Sequence, residues 1–140
     1  MLGLLLMMGI GSVRAEQMKT FGDYTVHYIA LTTDMLTADV ARAYNINRSK
    51  NTALLNISVL KKVLDASVKP VRAKVVASAT NLSAQLKNLE IREISDQGAI
   101  YYIAEIPIGD RETLNFNVTI TPEGETSTYT LTFQQEFVVN

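Results

Sequence analysis

The chain has 140 residues, 47% of them apolar and 19% charged, with a net charge of −1. That length suits one domain with a real core, the composition excludes a disordered tail, and the near-neutral balance offers no long-range field for nucleic acid or an anionic membrane. Cysteine is absent and histidine occurs once, which excludes a disulfide framework, a lipid-anchored cysteine and thiolate chemistry.

The first fifteen residues, MLGLLLMMGIGSVRA, differ from all that follows. Leu2 to Ile10 is an apolar run of signal-peptide length, too short for the roughly 20 residues that cross a bilayer as a helix. Val13 and Ala15 stand at −3 and −1 of a small-residue cleavage site. Residues 1–15 are therefore expected to be a signal peptide cut before Glu16, residues 16–140 a single domain, and the location the bacterial periplasm. No Lys or Arg precedes Arg14, a departure from the basic start of such peptides. The Asn-x-Ser/Thr triplets at Asn47, Asn56, Asn81 and Asn117 are read as products of Asn- and Thr-rich strand faces rather than glycosylation sites.

From Thr20 onward, period-two alternation dominates. DYTVHYIAL predicts a strand with Tyr24, Val26, Tyr28 and Ala30 on one face and Thr25, His27 and Ile29 on the other. Asp34 to Tyr44 switches to helical spacing: Leu36, Val40 and Tyr44 form a stripe, Thr37 is placed to cap, and Asp39 complements the dipole in the first turn. From Thr52 alternation resumes, with Leu55, Ile57 and Val59 inward and Asn56 and Ser58 outward. Lys61 to Lys69 reads as a loop ending at Pro70. Val71, Ala73, Val75, Ala77 and Ala79 start a third strand whose small inward residues imply close approach of two sheets. LKNLEIREIS reads as a fourth strand, SDQG as a turn, AIYYIAEIPI as a fifth and GDRE as another turn. Leu114, Phe116, Val118 and Ile120 alternate with Asn and Thr; PEGE reverses the chain into Tyr129, Leu131 and Phe133. Seven such strands predict an all-β antiparallel sandwich of immunoglobulin or fibronectin build, with one short helix between the first two strands. A closed barrel, with the last four strands as a meander, is the alternative.

The residues permit little catalysis. His27 lies mid-strand and reads as a surface or interface side chain; an enzyme would have to pair it with a carboxylate such as Asp23 or Glu105. No G-x-S-x-G turn occurs in the mature chain. One histidine and no cysteine cannot build a tetrahedral nitrogen and sulfur metal site, and Asp96, Asp110 and Glu112 lack the spacing of a calcium loop. There is no glycine-rich phosphate cradle. No cofactor, metal or catalytic residue is assigned. Tyr101 and Tyr102 face opposite ways in one strand, as a central strand buried on both sides requires.

YNINRSKN, Tyr44 to Asn51, gathers basic and amide side chains in one connection. Asn45 is suited to the left-handed residue that ends a helix. The loop reads first as a helix stop with solvated charges; the functional reading is that Arg48 pairs with a carboxylate, of this chain as a structural clamp or of a partner as a docking contact. Asn47, Arg48, Lys50 and Asn51 form the candidate binding or clamp set. A second candidate is a pocket lined by Tyr24, Tyr28 and Tyr44, between the sheets or under the helix.

The ordered blocks FGDYTVHY, LTADVARAY, RSKN, LLNISVLKK and TYTLTFQQEF resemble a family of small exported proteins of Gammaproteobacteria, a domain of unknown function, from about Glu16 to Asn140. The resemblance implies an exported, single-domain, all-β protein and carries over no activity. The reading is a non-enzymatic periplasmic accessory module that binds a protein or envelope component through a strand edge or the Tyr44–Asn51 loop. The alternative is a small-molecule binding protein. Nucleic acid and stable membrane insertion after signal cleavage are not expected, and a homo-oligomer is left open.

Overall fold

Strands that are apolar on one face and wet on the other must close against a second sheet, and this chain does so twice over. The computed structural model describes residues 16–139, so the expected signal peptide lies outside the described residues. The elements are β1 (Gln17–Phe21), β2 (Tyr24–Thr32), a 3-10 turn (Thr33–Met35), α1 (Ala38–Ala43), β3 (Thr52–Lys62), a second 3-10 turn (Leu64–Ala66), β4 (Val68–Pro70), β5 (Ala73–Asn81), β6 (Leu86–Asn88), β7 (Arg92–Asp96), β8 (Ala99–Pro107), β9 (Arg111–Pro122) and β10 (Tyr129–Val138). A six-stranded sheet runs β1-β2-β3-β8-β7, with β4 folded onto the end of β3; a four-stranded sheet runs β10-β9-β5-β6. Every pairing is antiparallel. The result is a β-sandwich.

The interior is the one that alternation foretells. Val26, Leu55, Ile57 and Val59 of the large sheet meet Leu114, Phe116, Val118 and Ile120 of the small one. Ala77 and Ala79, buried on β5, let the sheets come close. Ten strands rather than seven arise from three local causes. β1 is exposed except at Phe21, which packs on the core, and carries no apolar alternation to read; it precedes the expected first strand, so the helix follows the second. The expected loop from Lys61 to Lys69 holds the end of β3 and the short β4, which pair with each other. The expected single strand LKNLEIREIS is split: β6 joins the small sheet and β7 the large one, because Leu89 and Ile91 turn in against the core between them. β7–β8 and β9–β10 are hairpins of different sheets, so the last four strands form no barrel meander. In the β7–β8 hairpin, Gln97 and Gly98 both have positive φ, 50° and 86°, the two-residue turn that matches strand twist.

The large sheet is buried on both faces over part of its area. The helical segment is shorter than its stripe implies: Leu36 is extended, and α1 starts only after Thr37, whose hydroxyl accepts the Val40 N–H at 3.2 Å. Its stripe nonetheless works as read. Leu36, Val40 and Tyr44, with Ile46, pack on Ile29, Leu31, Leu54 and Ile103 of the outer face. Asn56, expected to point to water, is for that reason 1% exposed.

Candidate functional site

A helix of six residues covers only part of a six-stranded face. Next to it the outer face of the large sheet is open, and there a groove of about 380 Å³ is lined by Glu16, His27, Ser58, Leu60, Pro70 and residues 97–101. Strand register builds it. His27 on β2 stands opposite Met18 on β1 and opposite Ser58 on β3, which places all three on one face of the sheet. The β7–β8 turn and the β3–β4 hairpin form the walls. Most of the lining is apolar, and its polar groups converge on the imidazole: the Glu16 carboxylate lies 3.0 Å from His27 Nδ1, an ion pair when the ring is protonated. Tyr101, buried at the border with the helix-covered part, has its hydroxyl pKa raised by burial and then by the charges of Asp96 and Glu16.

His27 therefore has a carboxylate partner, but neither of those expected for an enzyme. Glu16 holds it, while Glu105 faces Arg92 at 3.8 Å. Glu16, His27 and Ser58 are the residue types of a hydrolytic triad, yet Ser58 lies mid-strand, without the strained turn that exposes a nucleophile, and no hydrogen bond joins it to the ring among the described residues. Among the same residues no three His, Asp or Glu side chains gather as a metal site. Asp96 instead accepts the Tyr44 hydroxyl at 3.2 Å, and Glu112 accepts the Gly109 N–H at 2.8 Å.

The tyrosine pocket is corrected by the topology. Tyr24 and Tyr28 face the inter-sheet core, where Tyr28 lies on Phe133 with ring centroids 4.7 Å apart and Tyr24 packs against Tyr129. Tyr44 is on the opposite side of the sheet, under the helix. The three never meet, and the space at each is filled by side chains.

In the loop Tyr44–Asn51, Asn45 has φ 57°. The Asn45 N–H donates to the Arg42 carbonyl and the Ile46 N–H to the Ala41 carbonyl, the paired bonds of a Schellman stop, with Ile46 buried as its apolar contact. For Arg48, the clamp to a carboxylate of this chain is corrected. The residue is exposed, and its guanidinium donates to the backbone carbonyl of Asp34 at 3.2 Å rather than to a carboxylate. Asn47 and Lys50 are also exposed. The Asn51 N–H donates to Ser49 Oγ at 3.0 Å, and its carbonyl accepts the Ile108 N–H. Two residues not singled out in the sequence hold this loop. Thr33, fully buried, accepts the Ser49 N–H at 2.8 Å, and its hydroxyl lies 2.9 Å from the Asn47 carbonyl and 3.1 Å from that of Ser49. Arg92 donates to the carbonyls of Tyr44 at 2.6 Å and Asn45 at 3.2 Å. Thr33 adjoins the helix start, where a polar residue is a weak signal; Arg92 had no local signal at all.

Comparison with known proteins places this geometry. No curated protein matches the chain. Among solved structures, a DUF4426 family protein from Pseudomonas aeruginosa is 37% identical with a TM-score of 0.76, covering 89% of this chain and 96% of its own. A copper-bound variant of FetP from uropathogenic Escherichia coli strain F11 shares the fold at 9% identity and a TM-score of 0.60, covering 89% of this chain and 95% of its own. FetP as isolated, recombinantly expressed in the periplasm of Escherichia coli, matches at 8% identity and the same TM-score, covering 87% and 93%. The model of a domain of unknown function, DUF4426, matches residues 18–140, and with the Pseudomonas relative it shows that the chain is a member of the DUF4426 family.

Proposed function

We propose that this protein is a non-enzymatic binding module of the bacterial envelope, working in the periplasm, and that its ligand occupies the groove beside His27. The groove carries this reading: about 380 Å³ of open, mainly apolar space with one imidazole–carboxylate pair in its wall, within the size range of small-molecule sites. Such a lining suits an amphiphile with an apolar body and one hydrogen-bonding head that meets His27 or Ser58. The likeness to FetP expressed in the periplasm supports the location through the fold alone. Titration of the 15N-labelled protein with decanol and with anilinonaphthalene sulfonate tests it. Amide shifts are expected to cluster at His27, Ser58 and residues 97–101, and to vanish in Ser58→Trp, which fills the groove. Shifts spread evenly over the surface, or unchanged in that variant, would sink the reading.

A copper ion at the same rim is a second reading, favoured by the donor set of this chain. Glu16 engages Nδ1 of His27, and Met18, 65% exposed, stands in register with His27. Thioether with imidazole suits that metal. Amide shifts confined to residues 16–18 and His27 on titration with Cu(I), or with Ag(I) as its stand-in, support it; shifts elsewhere remove it.

A further inference from the structure

Beyond the groove's mouth, the β3–β4 hairpin carries an unusual surface. Its register sets Leu60 opposite Pro70, Lys61 opposite Lys69 and Lys62 opposite Val68. Leu60 and Pro70 line the groove, and the apolar strip continues outward through Val68, 55% exposed, to Leu64 at the tip, 89% exposed. Like charges placed directly opposite in a ladder repel, yet Lys61 and Lys69 occupy one register position. None of the three lysines takes part in an ion pair among the described residues; the Lys61 ammonium lies over the Tyr24 ring at 5.6 Å. Asp65 is the one acidic residue between Leu60 and Pro70. Asp23 and Glu125 lie near Lys61 around the Tyr24 ring, so the basic excess is that of Lys62 and Lys69, toward the tip.

We infer that the hairpin from Leu60 to Pro70 is a finger that docks the protein on an anionic lipid surface. Leu64 and Val68 enter the headgroup boundary, where exposed apolar side chains lose their contact with water. Lys62, on the strip's own face, and Lys69, exposed on the other face of the finger, reach lipid phosphates from its two sides, each such lysine adding to affinity within a Debye length of the surface. Because Leu60 and Pro70 belong to both strip and groove, docking turns the groove's mouth toward the lipid. An anionic surface answers both halves of the pattern, the unpaired cations and the apolar tip; a neutral membrane answers only the second.

Co-sedimentation of the mature protein with phosphatidylglycerol vesicles and with phosphatidylcholine vesicles, at low and physiological salt, tests the finger independently of any groove ligand. Binding is expected to the anionic vesicles, weakened by salt. It should fall on the order of tenfold or more in Lys62→Glu/Lys69→Glu and be lost in Leu64→Asp. Both changes are on exposed or half-exposed positions, and unaltered melting of each variant separates lost docking from lost folding. Equal partition into both vesicle types, or no partition, overturns the inference. Retention on immobilised poly-glutamate without vesicle binding also overturns it, and assigns the finger to an acidic protein partner.

Discussion

Arg48 and Arg92 show how far a single residue's role depends on where the chain goes next. The loop Tyr44–Asn51 is held from outside itself: Thr33 satisfies the Ser49 N–H from a fully buried site, and Arg92 reaches the carbonyls left open at the end of α1. Removing one partner of an enclosed hydrogen bond leaves the other unsatisfied, which costs about 1–3 kcal/mol. Thr33→Val should lower stability by about that amount. Arg92→Ala, at an exposed residue with one part-buried and one exposed bond, should cost less, about 0.5–1.5 kcal/mol, and Arg48→Ala should stay within about 0.5 kcal/mol, as exposed substitutions do. Urea unfolding of the three variants decides it; an Arg48→Ala loss equal to that of Thr33→Val would return Arg48 to the role of clamp. Asn45 was legible because a helix stop is a local event, written in the residue that must turn left-handed. Arg92 was not, since it lies 47 residues from Asn45 and only the pairing of β7 at the sheet's edge brings it there.

Turns join the elements, and one of them is tied to three others. Between β8 in the large sheet and β9 in the small one, the Gly109 N–H donates to the Glu112 carboxylate at 2.8 Å. Asn81 at the end of β5 donates to the same group at 3.4 Å, and Lys87 on β6 stands 3.8 Å away while donating to the Pro107 carbonyl. These contacts, the Gly109 N–H first, hold the Glu112 carboxyl below its ordinary value of 4.5 against the opposing effect of burial. A depressed folded value means that the unfolded chain takes up the proton first. The contribution of Glu112 is therefore complete above pH 4.5 and disappears as pH falls through the lower folded value. Glu112→Gln should be less stable than the parent at pH 6, with a shallower fall below pH 4.5, in urea midpoints measured from pH 6 to pH 3. Parallel curves for parent and variant would show that the clasp contributes nothing. The turn itself was readable in GDRE, as the helix stripe was in Leu36, Val40 and Tyr44. The division of LKNLEIREIS between two sheets was not, because alternation marks which face of a strand is wet but not which sheet the strand joins.

At the scale of the whole molecule the two sheets are joined by more than their shared core. Tyr102, on the inward face of β8, accepts the Ala73 N–H of β5 at 2.8 Å and donates to Glu93 of β7 at 2.9 Å. Tyr24 of β2 donates to Glu125, in the β9–β10 turn, at 2.9 Å. Each hydroxyl crosses from the large sheet to the small one, so the sandwich carries polar bridges at the end where Ala73 and Glu125 lie. Burial first, and then the Glu93 carboxylate, push Tyr102 up to about 12 against the pull of the Ala73 N–H; Tyr24 is raised by burial and by Glu125. The unfolded chain releases these protons near the ordinary value of 10, before the folded one does. Stability contributed by the Tyr102 bridge is thus whole below pH 10 and lost as pH climbs toward 12, by no more than about 1.4 kcal/mol per pH unit, and that of the Tyr24 bridge is lost in the same direction. Tyr102→Phe leaves the Ala73 N–H without its acceptor and should be less stable at pH 7 by about 1–3 kcal/mol. Its decline between pH 10 and pH 11.5 should also be shallower than that of the parent, the remainder coming from the other raised tyrosines. Urea midpoints across that range provide the measurement. A variant that keeps the full alkaline slope would show that Tyr102 does not carry it, and would leave the Tyr24–Glu125 bond as the polar bridge that does.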